Sequence, residues 1–215
     1  MIYIDFHTHQ INKEADVKSI YNLPLTEKPA DFSEQHLSIG IHPWYINDNN
    51  NQFSTIKLNI NHPNVKAIGE CGLDKLKGPD LAIQTEVFKQ HIRWSEEFEK
   101  PLIIHCVKAY SEIIKLRKDL KPKQTWIFHG FNSSVETLNQ AIKTGFYFSF
   151  GPAILNHPKT RKSFINSPIN RIFLETDDTD FNIKELYKKA ADLKETGIDE
   201  FQEKIRDNFN LILKI

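Results

Sequence analysis

His7-Thr8-His9 follows the alternating run Ile2-Tyr3-Ile4-Asp5-Phe6. A strand sends successive side chains to opposite faces, so Ile2, Ile4 and Phe6 point one way and Tyr3, Asp5, His7 and His9 the other. Two imidazoles leaving one strand end on one face are close enough to grip a single metal ion. An H-x-H alone is a weak signal; it becomes a strong one when carboxylates and further histidines arrive at the ends of later strands. The chain supplies them in Gly40-Ile41-His42-Pro43, Gly69-Glu70-Cys71-Gly72-Leu73-Asp74, Ile103-Ile104-His105, Ile127-Phe128-His129-Gly130 and Leu174-Glu175-Thr176-Asp177. Imidazole and carboxylate bind zinc, manganese or iron. Four histidines and two acids (His7, His9, His105, His129, Glu70 and Asp177) suffice for a two-metal site. Two cations about 3.5–4 Å apart lower the pKa of a shared water and clamp an ester or phosphoryl oxygen.

Such a site needs strands that end together. Short β-rich runs alternate with longer helical patterns, the signature of βα units around a parallel sheet. The predicted strands are 2–6, 17–22, 37–41, 65–69, 102–105, 125–129, 146–150 and 171–175. Helical spacing predicts helices over 79–100, 111–120, 134–144, 158–166, 182–195 and 199–213, the last with Asp199 as its N-cap. Between residues 10 and 36, Pro24, Pro29 and several polar residues interrupt any helical period, so the early crossovers are expected to be shortened. The fold class is α/β, a small (β/α)8 TIM barrel, whose active-site residues gather at the carboxyl ends of the strands. The rival is a doubly wound open sheet. That fold usually carries a glycine-rich first turn for phosphate, where this chain carries His-Thr-His.

The 215 residues hold 28 basic and 28 acidic side chains, so the net charge is zero apart from histidine. A nucleic-acid binder often shows a basic excess; its absence counts against tight non-specific binding to long nucleic acid. Two cysteines make no disulfide scaffold. No leader pattern opens the chain and no apolar run is long enough to span a bilayer. The expectation is a cytoplasmic protein with one domain over 1–215, no membrane association and no obligatory protein partner.

Six motifs in order carry a resemblance: His7-Thr8-His9, Gly40-Ile41-His42-Pro43, Gly69-Glu70-Cys71-Gly72-Leu73-Asp74, Pro101-Leu102-Ile103-Ile104-His105, Phe128-His129-Gly130-Phe131 and Glu175-Thr176-Asp177. Together they resemble the TatD family, metal-dependent deoxyribonucleases of the amidohydrolase-like superfamily, and Asn208-Phe209-Asn210 resembles that family's terminal helix. The resemblance implies two divalent ions (zinc, manganese or magnesium) and a DNA or small phosphodiester substrate cleaved by a metal-activated water. It implies that His7, His9 and Asp177 bind one metal, that His105 and His129 bind the other, and that Glu70 bridges them. It further makes Asp177 the acceptor of a proton from the attacking water and His42 a contact to the phosphate or leaving group. Glu175 and Asp74 become orienting groups behind the ligands.

The departures lie outside the presumed ligands. Val107 stands where the family usually has arginine, Lys75 where a tyrosine is frequent, and Asp178-Thr179-Asp180 replaces a proline- and arginine-bearing loop. Two alternatives therefore stay open: a hydrolase of a small ester, amide or lactone, and a catalytically retired barrel that binds without turnover. His36, His62, His91 and His157 read as ordinary surface residues, and Cys71 and Cys106 as small buried ones. Lys75 and Lys108, near strand ends, are candidates for phosphate contact.

Overall fold

A computed structural model describes residues 2–32, 35–47 and 51–215. Its eight strands are β1 (Tyr3–Thr8), β2 (Val17–Asn22), β3 (His36–Ile39), β4 (Val65–Asp74), β5 (Leu102–Val107), β6 (Trp126–Phe128), β7 (Tyr147–Phe150) and β8 (Ile172–Leu174), and they follow chain order in the sheet. The helices are α1 (Asn51–Asn59), α2 (Leu81–Glu97), α3 (Tyr110–Leu120), α4 (Val135–Lys143), α5 (Ala153–Asn156), α6 (Pro158–Asn166), α7 (Ile183–Leu193) and α8 (Ile198–Leu213). The chain divides into two compact units, Met1–Tyr21 with His129–Ile215, and Asn22–Phe128. Among the described residues no helix is long and apolar enough to cross a membrane.

In the first unit β1 pairs in parallel with β2, and β7 with β8. Ile4, Asp5, Phe6, His7 and Thr8 are all buried, as a parallel strand covered on both faces requires. Phe6 stacks on Phe173 at 3.9 Å between ring centroids, and Phe209 of α8 meets Phe6 edge-on at 6.4 Å. Each fully buried phenylalanine contributes about 1.5–3 kcal/mol. The Tyr187 hydroxyl of α7 donates to Ile4 O at 3.0 Å and accepts from Ile4 N at 3.1 Å, pinning β1 to the helix layer. Asn208 of α8 donates to the carbonyls of Ile169 and Ile172 at 2.9 and 3.0 Å, which ties the last helix to the start of β8.

In the second unit β3, β4, β5 and β6 pair successively in parallel. Asn22 Oδ1 accepts from Ser38 Oγ at 3.2 Å and from Glu70 N at 3.0 Å, joining the end of β2 to β3 and β4. Gly72 lies so close to β5 that a Cβ built on it would sit 2.0 Å from the His105 carbonyl oxygen, and its φ is +143°. Only glycine permits that approach.

Several expectations need adjustment. β4 runs on to Asp74, beyond the expected end at 69. Helix α1, absent from the sequence reading, buries only Ile56, so it has almost no apolar stripe to detect. The N-cap of α8 is Gly197 rather than Asp199, which falls in the first turn, where its charge favours the helix dipole. His91 is fully buried on α2; His36 and His62 are half-buried and only His157 is exposed. The shortened early crossovers are present: residues 9–16 form no helix, and a 3-10 turn at Pro29–Asp31 is the one helical element among the described residues between β2 and β3.

Candidate metal centre

In the first unit His7, His129 and Asp177 offer ligand atoms that all lie within 4.8 Å of one another. Asp177 Oδ1 is 3.5 Å from His7 Nε2 and 3.5 Å from His9 Nε2. These separations exceed a hydrogen bond. They match the edge of a coordination shell: ligands about 2.0–2.1 Å from a tetrahedral zinc lie roughly 3.3–3.4 Å apart. The donor set therefore fits a divalent cation. Backbone pairing places it, since Asp177 N donates to His7 O and His9 N to Asp177 O, both at 3.0 Å. Asp177 itself is left-handed, with φ +55°, a conformation aspartate tolerates better than most side chains.

Two buried acids stand behind these donors. Glu175 accepts from Gly130 N at 2.5 Å and from the Ser149 hydroxyl, and its Oε1 lies 3.7 Å from His129 Nδ1. Burial pushes its carboxyl up, but His129, His7 and the Ser149 hydroxyl outweigh it and hold the group below the ordinary range. Asp5 accepts from Thr176 N at 2.9 Å and Thr176 Oγ1 at 2.7 Å, fixing the residue between Glu175 and Asp177. Burial lifts Asp5 to about 7; the Thr176 hydrogen bonds oppose this, and the Glu175 and Asp177 carboxylates add to it.

In the second unit His42, Glu70 and His105 form a second group within 4.8 Å. His105 Nδ1 is 2.9 Å from Glu70 Oε1, and its Nε2 is 3.1 Å from Asp74 Oδ2. A proton on Nε2, held by Asp74, leaves the Nδ1 lone pair for a cation beside Glu70. The same Asp74 oxygen accepts from Trp44 Nε1 at 2.6 Å. Burial raises Asp74, but hydrogen bonds from Trp44, Leu76 and His105 win and lower it.

His42 differs. Its Nδ1 accepts the Trp44 backbone N–H at 3.1 Å, capping the 3-10 turn Pro43–Tyr45. The ring proton must then sit on Nε2, which faces Glu70 Oε1 at 3.3 Å. His42 thus presents a donor rather than a lone pair.

The structure groups His129 with His7 and Asp177, where the resemblance placed it on the other metal with His105. Asp5, Ser149, Trp44, Gln84 and His91 support these donors although no sequence motif marks them as site residues. Two carried a signal. Asp5 shares the strand face of His7. His91 falls on the buried stripe of Gln84, Val87, Phe88 and Ile92 at helical spacing. Buried Gln84 takes Asp74 N on Oε1 at 2.7 Å and donates from Nε2 to the carbonyls of Asp74, Lys77 and Pro79. Lys75 is ion-paired with Glu112, which limits it as a phosphate contact. Lys108 is exposed, with φ +55°. Cys71 is buried and Cys106 half-buried, both as free thiols.

Solved structures share this fold. A TatD homologue from Escherichia coli, YJJV, superposes with a TM-score of 0.85 at 19% identity, covering 99% of this chain and 98% of that one. A TatD-family hydrolase from Entamoeba histolytica gives 0.79 at 17% identity over 99% and 98% of the two chains. The architecture is accordingly that of the eight-stranded α/β barrel class. The family described as TatD-related DNase matches residues 8–214, and the chain belongs to this family. A Buchnera aphidicola protein named as an uncharacterized metal-dependent hydrolase is 34% identical over 145 residues, 66% of this chain and 55% of that protein. The Bacillus subtilis protein YabD, named as an uncharacterized metal-dependent hydrolase, is 29% identical over 91% of this chain and 85% of its own length. The chain thus spans little more than half of the Buchnera relative.

Proposed function

We propose that this chain hydrolyses phosphodiester bonds, with DNA as the leading substrate, using divalent cations held by its two donor sets. The observation that carries the reading is the convergence of His7, His9 and Asp177 at 3.5 Å separations, the spacing of shared ligands. The family description, TatD-related DNase, supports the substrate class.

His7, His9, His129 and Asp177 would hold one cation, and Glu70 and His105 the other. Once bound, the cations would lower the pKa of water and neutralise charge on the phosphoryl oxygens. Asp177, whose side chain is about one-third exposed at 36%, accepts the proton of the attacking water. Glu175 and Asp5 keep the β8 end in register while that proton moves. Asp74 holds the His105 tautomer. His42 Nε2–H donates to a non-bridging or leaving oxygen, a role its capped Nδ1 enforces.

A second reading keeps the cations and changes the substrate to a small ester, amide or lactone. It is favoured by Val107 at the position where the family's arginine is usual, and by the engagement of Lys75 with Glu112. Metal content per chain, followed by assays on DNA, chromogenic phosphodiesters and carboxyl esters with Mg²⁺, Mn²⁺, Co²⁺ and Zn²⁺, separates the two. Phosphodiester cleavage that disappears in Asp177→Asn is the expected result. Bound metal with no phosphodiesterase activity in any of the four ions overturns the substrate assignment.

A further inference from the structure

The surface beside His42 takes no part in the steps above. The turn Pro43–Tyr45 leaves Tyr45 66% and Trp44 36% exposed. The Tyr45 ring centroid lies 5.5 Å from that of His42. Scattered exposed aromatics are ordinary; these two sit on a surface whose backbone is locked from several sides. Trp44 donates Nε1–H to Asp74 at 2.6 Å. The Lys77 ammonium lies 3.7 Å from the Trp44 ring centroid, a cation–π contact. Leu76 N and Lys77 N both donate to Asp74 Oδ1, at 2.7 and 3.1 Å. Gln84 grips the same loop from beneath through the carbonyls of Asp74, Lys77 and Pro79. Gly78, at φ +94°, lies so close to the turn that a Cβ would come 2.5 Å from Pro43 O.

The outcome is a pre-ordered edge with an open aromatic face at Tyr45, a fixed cation at Lys77, and a proton-donating histidine alongside. A planar π system carried next to a phosphate is the ligand chemistry that uses all three. We propose that Tyr45 is the platform on which the base flanking the scissile phosphate stacks, with Lys77 drawing the neighbouring phosphate, so that this edge sets the enzyme's preference for nucleotide substrates. Stacking of this kind tolerates every base, since each has a π face. The inference rests on the phosphodiester reading above.

The test compares a short oligonucleotide bearing normal bases with one carrying an abasic tetrahydrofuran residue beside the cleaved bond. Tyr45→Ala is expected to raise KM on the base-bearing substrate by about tenfold, with the loss confined to that substrate, and Tyr45→Phe to restore it. Lys77→Gln raises KM on both substrates. Cleavage with the same KM in Tyr45→Ala and the unaltered protein overturns the platform and leaves the phosphodiester reading standing. If no phosphodiester is cleaved, tryptophan fluorescence is titrated with deoxyadenosine monophosphate and with deoxyribose 5-phosphate. Tighter binding of the base-bearing ligand, lost in Tyr45→Ala, upholds the platform while the phosphodiester reading falls; equal binding of the two ligands removes the platform as well.

Discussion

His91 Nε2 accepts the backbone N–H of Ile41 at 2.9 Å, one residue before His42, while its Nδ1 meets Val87 O at 2.8 Å. The imidazole is a buried strut between α2 and the end of β3, and both of its nitrogens are used only when the ring is neutral. Desolvation lowers its pKa from 6.5 to about 4, against the opposing pull of the Val87 carbonyl. The unfolded chain therefore binds a proton between about pH 6.5 and 4 that the folded chain refuses. Stability is fully present above 6.5 and is lost as pH falls towards 4, by roughly 3 kcal/mol. Asp5, lifted to about 7, works in the opposite direction, its effect being loss of stability as pH rises from about 4 to 7. A comparison with His91→Gln isolates the histidine. Urea midpoints of the two proteins are expected to converge as pH drops from 7 to 4.5, and parallel pH profiles would refute the strut.

Asp74 binds both Trp44 Nε1 and His105 Nε2 through one oxygen. Asp74→Asn presents an amide whose N–H cannot accept from either. The His105 tautomer is then no longer enforced, and metal affinity or turnover falls about 10–100-fold, the usual cost of losing such a carboxylate. Calorimetric titration with Zn²⁺ or Mn²⁺ measures this directly. Unchanged affinity and turnover would mean that Asp74 serves the loop alone.

Removal of metal lowers the apparent stability if the two donor sets hold cations in the folded state only. At a free metal concentration about 100 times Kd the stabilisation is about 2.7 kcal/mol. Thermal melts with and without EDTA are expected to show the gap, and Asp177→Asn should shrink it together with the metal count by emission spectroscopy. A Tm indifferent to EDTA in protein that retains metal in its untreated form contradicts the assignment.

Gly72→Ala drives a methyl group to within 2.0 Å of the His105 carbonyl oxygen. Backbone must move on β4 or β5, and on the order of 3 kcal/mol is lost. Because His105 rides on the displaced strand, turnover should fall by more than the loss of folded protein explains. Urea denaturation combined with activity per folded molecule distinguishes the two effects.

Much of this architecture is local enough to read from the chain. The strand at Val17–Asn22 and the helix at Pro158–Asn166 have the expected boundaries, because period-2 and period-3.6 patterns are written in neighbouring residues. Helix α1 escaped because a helix burying one side chain has no stripe to betray it. His91 escaped because polar neighbours on α2 masked its place on the buried stripe.

The sequence by itself determined which donor types stand at which strand ends, since each motif is a run of a few residues. Only the tertiary structure brought donors from distant strands within reach of one another, His129 beside His7 and Asp177, and His105 beside Glu70 and His42. It alone shows that His42 Nδ1 is taken by the Trp44 N–H, and that Asp5, Asp74, Glu175 and Gln84 hydrogen-bond the surrounding backbone and side chains. The reason is physical. A strand's alternation is set by its own backbone, but a ligand separation of 3.5 Å depends on register and twist between strands far apart in the chain, as Asp177 and His7 are.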